Sequence, residues 1–228
     1  MSTTAVRRPP RVLVDLGPIA QLRAGRLGRR LPQLYAGLVL YGLSLAMMVR
    51  GHLGVAPWDV LHTGLTKHFP ITFGEALIIV SFLVLVVWVP LREVPGIGTV
   101  SNAVVVGVAA DAFLALFGQP DALWLRGLLT VGGVVVCGLA TAMYIGAQLG
   151  RGPRDGLMTG FARRTGLSLR LVRTLLEVTV VVLGLLLGGV AGLGTVLYAL
   201  AIGPLTQAML PTWIVEVDSG LLPVESPE

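Results

Sequence analysis

Charge is scarce in this chain. Only 13% of its 228 residues are Asp, Glu, Lys or Arg, about half the share a water-soluble domain carries. There is one cysteine, Cys137, and there are three histidines. A lone cysteine excludes a disulfide framework and a thiolate metal site built by this chain. His52, His62 and His68 fall in one loop at a spacing that fits no metal motif. No Ser-His-Asp order, phosphate loop or dinucleotide fingerprint occurs. The glycines of Gly184–Gly192 fall at a span end, where close helix packing explains them more simply than phosphate binding. The reading is therefore of a chain that is not an enzyme and takes no metal or cofactor.

What the sequence has in quantity is apolar residues, 54% of the chain, with a mean hydropathy of +0.84. They are grouped in six runs: Leu34–Val49, Ile71–Leu91, Gly98–Gly118, Leu125–Leu149, Val172–Val190 and Leu193–Thr212. A spanning helix needs about 20 mostly apolar residues. Six runs leave nothing for a water-soluble core, so 33–213 is read as one membrane domain whose first partner is the lipid bilayer. Residues 1–32 carry seven arginines and read as a basic tail without fixed structure. No signal peptide is expected there, because Asp15 and Pro18 interrupt the short apolar stretch. Residues 214–228 read as a short acidic tail. The net charge of +5 does not point to nucleic acid, because the basic residues flank membrane segments.

Lys and Arg gather on the cytoplasmic side of membrane segments. With the N-terminus inside and six crossings, 14 of the 17 basic residues lie inside and only Arg50, Lys67 and Arg126 lie outside. Both termini are therefore expected in the cytoplasm, and the compartment is read as a bacterial inner membrane.

The chain repeats itself at a spacing of 96 residues. Gly54, Pro57, Asp59, Leu61, Thr63 and Gly64 fall on Gly150, Pro153, Asp155, Leu157, Thr159 and Gly160. Without a gap, Gly96, Gly98, Thr99 and Val100 fall on Gly192, Gly194, Thr195 and Val196. Across Gly37–Gly107 there are 23 identities in 71 pairs. Repeat one covers about 33–118 and repeat two about 125–213. Each holds three spans, and three is odd, so the second unit enters the membrane from the opposite side. The expected fold is all-α: six transmembrane helices as two inverted three-helix repeats, each with an extra short interfacial or re-entrant helix.

That short helix comes from the motif Gly-x-x-Pro-x-Asp-x-Leu-x-Thr-Gly. Gly54 and Gly150 end the preceding span, and Pro57 and Pro153 open a new first turn. Asp59 and Asp155 then meet free N–H groups at a positive helix end. The Thr-Gly pair is expected to close the helix after about three turns. The two acids are either caps or the lining of a site for a cation, proton or substrate. Broken helices at matching positions of two halves point to a transporter site, with Thr63 and Thr159 as hydroxyl partners. Asp111 lies deep in the third span and its repeat mate is Gln207, so both join the candidate site. Arg173 and Glu177 read as a snorkelling pair. Trp58, Trp88, Trp124 and Trp213 read as an aromatic belt near span ends.

Three stretches carry a family resemblance: Ala56–His62, Trp88–Arg92 with Pro95–Thr99, and Gly152–Met158. Together they resemble the bacterial YczE/YyaS/YitT-type membrane proteins, the YczE-like branch most closely, over about 30–212. The resemblance implies a bacterial plasma-membrane protein of several spans. It brings no established substrate or site residues.

The function expected is a small secondary transporter or permease for an ion or small solute. The alternative is an accessory protein that binds and stabilises another membrane protein, through glycine-rich faces that also suit a homodimer. A membrane-embedded enzyme ranks last.

Overall fold

A computed structural model describes residues 13–14 and 16–217; 1–12, Asp15 and 218–228, parts of the two proposed tails, lie outside the described residues. The described chain is helical, with no strand. Its helices are α1 (Pro18–Arg23), α2 (Leu27–Gly51), α3 (Pro57–His68), α4 (Phe73–Leu91), α5 (Ile97–Leu116), α6 (Leu123–Gly146), α7 (Pro153–Thr165), α8 (Leu169–Leu186) and α9 (Leu193–Trp213). The 96-residue register reappears in the helix starts. Leu27, Pro57, Phe73 and Ile97 open α2 to α5, and Leu123, Pro153, Leu169 and Leu193 open α6 to α9.

Five helices are long and apolar enough to cross a membrane: α2, α4, α5, α6 and α9. The sixth expected span forms as α8, but Arg170, Arg173 and Glu177 in its first half separate it from those five. Two other expectations need correction. The Thr-Gly pairs do not end the short helices, because α3 runs on to His68 and α7 to Thr165. Gly64 and Gly160 are instead points of close packing, where an added Cβ would stand 2.8 Å from the Gly184 carbonyl oxygen or 3.0 Å from the Leu91 side chain. The helical structure also starts before residue 33. Arg30 of α2 is fully buried and donates to the carbonyls of Gln21 (2.7 Å), Ala147 (2.8 Å) and Gln148 (2.5 Å). It thereby answers the electronegative C-terminal ends of α1 and α6.

α2 and α6 cross at the centre, α5 packs on α2, and α9 packs on α6. The α2–α6 crossing uses small residues from both sides. Gly37 lies against Ala140 and Tyr144, and Gly133 lies against Ser44 and Met48. Small residues let helices approach in the membrane, where packing rather than water exclusion drives association.

Each short helix packs on the long helix of the other unit, α3 on α8 and α7 on α4. The two contacts use one pair of register positions with the sizes exchanged. Gly184 of α8 sits against the backbone of Val60 and Leu61, whereas Gly156 of α7 sits under the indole of Trp88. Trp88 is 3% exposed and donates from Nε1 to the Pro153 carbonyl at 2.9 Å. Trp58 and Trp88 are thus interior residues and not part of the expected aromatic belt; Trp213 is half-buried and Trp124 is 72% exposed.

One pairing is missing. α4 packs along α5, with Gly107 against the Gly74 carbonyl and Ile78. No packing of comparable extent joins α8 to α9. At the repeat mates, Gly74 is replaced by Arg170, and an added Cβ on Gly203 would meet nothing within 4 Å.

A Cβ at Gly156 would stand 2.0 Å from the Trp88 ring. Gly156→Ala is expected to cost about 1–3 kcal/mol of stability by overpacking, read as a lower unfolding temperature in detergent. Gly127→Ala, whose Cβ would meet nothing within 4 Å, is expected to be neutral or stabilising.

Candidate functional site

The short helices begin at two backbone breaks. Gly54 has φ +112° and Gly150 has φ +128°, a region that residues with a Cβ rarely adopt. A break leaves carbonyls without their helical partners, and in a bilayer these must be satisfied within the protein. The Leu53 carbonyl accepts from the Gly194 N–H at 2.7 Å, and the Leu149 carbonyl accepts from the Gly98 N–H at 2.7 Å. The two bonds are repeat mates, and each joins one unit's break to the other unit's last helix. Gly96 and Gly192 donate to the hydroxyls of Thr99 and Thr195 at 3.1 and 3.2 Å, which fixes the same turns from within.

From these breaks the first turns of α3 and α7 run toward each other. Trp58 and Arg154, themselves repeat mates, meet face to face, with the guanidinium carbon 5.2 Å from the indole centroid. Arg154 Nη2 is also 3.8 Å from Asp59 Oδ1. Asp59 is 1% exposed and its Oδ1 lies 2.9 Å from His62 Nδ1. His62 is fully buried inside α3, so it belongs to this interior cluster and not to an outer loop. Asp155 lies in the first turn of α7 and accepts from the Tyr144 hydroxyl at 2.5 Å.

The C-terminal ends of α3 and α7 are held apart from this meeting point, again by mates. Lys67 donates to the Gly188 carbonyl, and His68 Nε2 lies 3.2 Å from the Leu187 carbonyl, both at the end of α8. Arg163 donates to the Leu91 carbonyl at 3.0 Å, and Arg164 donates to the Pro90 carbonyl, both at the end of α4. Basic side chains at these ends complement the negative C-terminal dipole.

Two cavities flank the Trp58–Arg154 contact, and they are related by the register. The larger is about 240 Å³ and lies between the start of α3 and the α8–α9 gap; Trp58, Arg173, Glu177, Tyr198 and Ile202 line it. The smaller is about 40 Å³ and lies between the start of α7 and the closed α4–α5 pair. Arg154, Leu77, Ser81, Asn102 and Val106 line it. Each of these residues in one cavity has its mate at 96 residues in the other. Arg154, Asp155, Tyr41 and Tyr144 border both.

The residues expected at the site divide into two groups. Asp155 and Gln207 line the larger cavity, and Asp59 stands behind Arg154. Gly54, Pro57, Gly150 and Pro153 make the breaks and first turns as expected. Thr63 and Thr159 line neither cavity. The Thr63 hydroxyl bonds to the carbonyls of Asp59 and Val60 and accepts from the Val190 N–H at 3.1 Å. The Thr159 hydroxyl donates to the Gly156 carbonyl and accepts from Arg151. Asp111 also lines neither cavity. It accepts from the Gly74 N–H at 2.7 Å and from the Thr72 hydroxyl, and so caps the start of α4. Thr72 and Glu75 complete a capping box at the same end. Among the described residues, no group of three His, Cys, Asp or Glu is placed to hold a metal.

The residues not singled out from sequence are Arg154, Tyr41, Tyr144 and Tyr198; Arg173 and Glu177, read as a snorkelling pair, bond at 2.8 Å and line the larger cavity. One signal was available for Arg154. It replaces Trp58 in an otherwise matching motif, which puts a charge where a membrane segment admits one at high cost.

The fold and site define a helical membrane protein with paired backbone breaks around an interior polar cavity. A family of unknown function, DUF6198, matches residues 28–211, and the chain belongs to that family. It is 39% identical over 173 residues to an uncharacterised protein of Haemophilus influenzae, covering 76% of this chain and 79% of the relative. It is 35% identical over 182 residues to the uncharacterised membrane protein YczE of Bacillus subtilis, covering 78% and 83%. It is 28% identical over 181 residues to the uncharacterised protein YyaS of the same organism, covering 77% and 89%. No solved structure matches.

Asp111 binds the first turn of α4 and borders neither cavity. Asp111→Ala is therefore expected to lower stability by about 0.5–2 kcal/mol through loss of the cap. Arg154 should keep its reactivity toward a guanidine-directed reagent in that variant, because the cavity is untouched.

Proposed function

We propose that this chain is a small secondary transporter or permease of the plasma membrane. It is built from two inverted three-helix units, α2, α4 and α5 against α6, α8 and α9. In this reading α3 and α7 are re-entrant half-helices whose N-terminal turns meet near the membrane centre. The exchange of hydrogen bonds between breaks and last helices, at identical register positions, supports the two-fold relation. The 14-to-3 distribution of basic residues supports termini in the cytoplasm.

The observation that carries the transport reading is the unequal pair of cavities, about 240 Å³ beside one first turn and about 40 Å³ beside its mate. Two units of similar sequence can exchange conformations. If α4–α5 parted as α8–α9 have, and α8–α9 closed as α4–α5 have, the small cavity would enlarge and the large one collapse. The Arg154–Trp58 contact would then be reached from the other side. That is alternating access around a fixed site. The half-helix ends and the intramembrane ion pairs supply the polar groups such a site needs.

Two measurements test this. Single cysteines are placed at the mates Thr206 and Ala110 with Cys137 replaced by Ser, and treated with a water-soluble maleimide. Thr206→Cys is expected to react and Ala110→Cys, fully buried, to be protected. Equal reactivity would remove the asymmetry on which the reading rests. In the second, purified protein in liposomes is screened for solute and ion flux. Asp155→Asn and the Asp59→Asn/Asp155→Asn double variant are expected to lose flux; Asp59→Asn alone should also destabilise the fold, because it strips Arg154 of its counter-charge. Silence of the wild type across broad panels, together with a stoichiometric co-purifying membrane protein, would favour the accessory reading instead.

Topology follows separately. A sulfhydryl probe added outside intact cells should label Lys67→Cys and not Arg163→Cys, if the basic loop faces the cytoplasm.

A further inference from the structure

We propose that the larger cavity binds the carboxylate of a small organic monoanion with an apolar or aromatic body. The inference takes its purpose from the transporter reading and names the substrate class of that site. It rests on which polar groups around the cavity already have partners. The acids do: Asp155 accepts from Tyr144 at 2.5 Å, Glu177 from Arg173 at 2.8 Å, and Asp59 lies 2.9 Å from His62. The donors do not. Arg154 makes no hydrogen bond among the described residues. Its ion pair to Asp59, at 3.8 Å, is longer than the roughly 3.2 Å limit of a good N–H···O bond. Its side chain keeps 18% exposure beside the cavity. Trp58 lines the cavity at 6% exposure, and its indole N–H has no partner. The Thr206 hydroxyl, also in the lining, has none.

Arg154, Arg173, Asp155 and Glu177 border the cavity and Asp59 stands behind Arg154, so selection for an anion comes from which groups lack hydrogen-bond partners and not from net charge. Arg173 is neutralised by Glu177 in direct contact, so the cation left loosely held is Arg154. It stands where the positive ends of α3 and α7 converge, and such ends favour anions. A planar guanidinium suits a carboxylate in two-point contact. A cationic ligand would face Arg154 and find no acid without a partner. Apart from Thr141 and Gln207, the remaining walls are mostly aromatic and aliphatic, from residues such as Tyr41, Tyr144, Tyr198 and Ile202, and they fit an apolar body better than an inorganic oxyanion. The volume lies just below the range of about 300–1,000 Å³ usual for ligand pockets, which selects a small molecule.

The test is equilibrium binding to the purified full-length protein in detergent, by calorimetry, with benzoate as probe. Benzyl alcohol, benzylamine and inorganic phosphate serve as comparisons. Benzoate is expected to bind saturably and at least about tenfold tighter than the neutral and cationic analogues, since a hydrogen bond to a charged group is worth that much. Arg154→Gln should weaken benzoate about tenfold or more. Trp58→Phe, which keeps a ring and removes the N–H, should weaken it severalfold without losing the fold. Benzylamine binding tighter than benzoate, or benzoate binding unchanged in both variants, would overturn the proposal. Phosphate competing as strongly as a second aromatic acid would overturn the organic part of it. The wild-type comparison decides even if a variant fails to fold. Benzoate binding without flux in liposomes would uphold the anion site and remove the transporter reading. Flux of a cationic solute without benzoate binding would do the reverse.

Discussion

Two hydrogen bonds hold the architecture in place: the Leu53 carbonyl to the Gly194 N–H, and the Leu149 carbonyl to the Gly98 N–H. A helix interrupted in an apolar environment leaves backbone groups that water cannot satisfy. Here each unit supplies the missing donor for the other's interruption. The first turns of α3 and α7 can therefore start inside the protein, and neither break is stable without the other unit's last helix. The glycines at these positions have a physical task. A Cβ on Gly54 or Gly192 would stand 2.6 Å from backbone of the other segment.

The same economy appears where the short helices pack. The α3–α8 and α7–α4 contacts occupy equivalent positions, but one side uses Val60 over Gly184 and the other uses Gly156 under Trp88. Each contact needs one small residue, and it does not matter which helix carries it. A duplicated unit can thus diverge in residue size while keeping its crossing. It cannot keep the α8–α9 crossing with Arg170 where α4 has Gly74. A charged side chain replaces the glycine that lets two backbones touch, and the gap beside Gly203 becomes a cavity.

That gap gives the polar cluster its access. Trp58, Arg154, Asp59 and Asp155 come from the first turns of two helices that start at separate breaks. Asp59 and Asp155 are not equivalent despite their shared register. One is buried beside His62 and Arg154, and the other borders the cavity with Tyr144. The difference comes from the mates around them, since Tyr144 stands opposite Met48 in the register and Arg154 opposite Trp58. The repeat supplies a frame, and the departures from it supply the chemistry.

Much of this was readable in the chain itself. Apolar runs mark the spanning helices because a bilayer admits little else. The Gly-x-x-Pro-x-Asp motif marks the breaks because glycine, proline and a first-turn acid each suit one position of a helix start. The 96-residue register set out two matching units, and every helix of the second unit starts where it says. The bonds of Asp111, Thr63 and Thr159 to neighbouring backbone could not be read from the chain, because a polar residue in a helix looks the same in sequence whether it faces a cavity or a helix end. Only the tertiary structure brought Arg154 onto Trp58 and separated α8 from α9. The first joins residues 96 positions apart, and both depend on how closely two backbones can approach, which is decided by side chains on both helices at once.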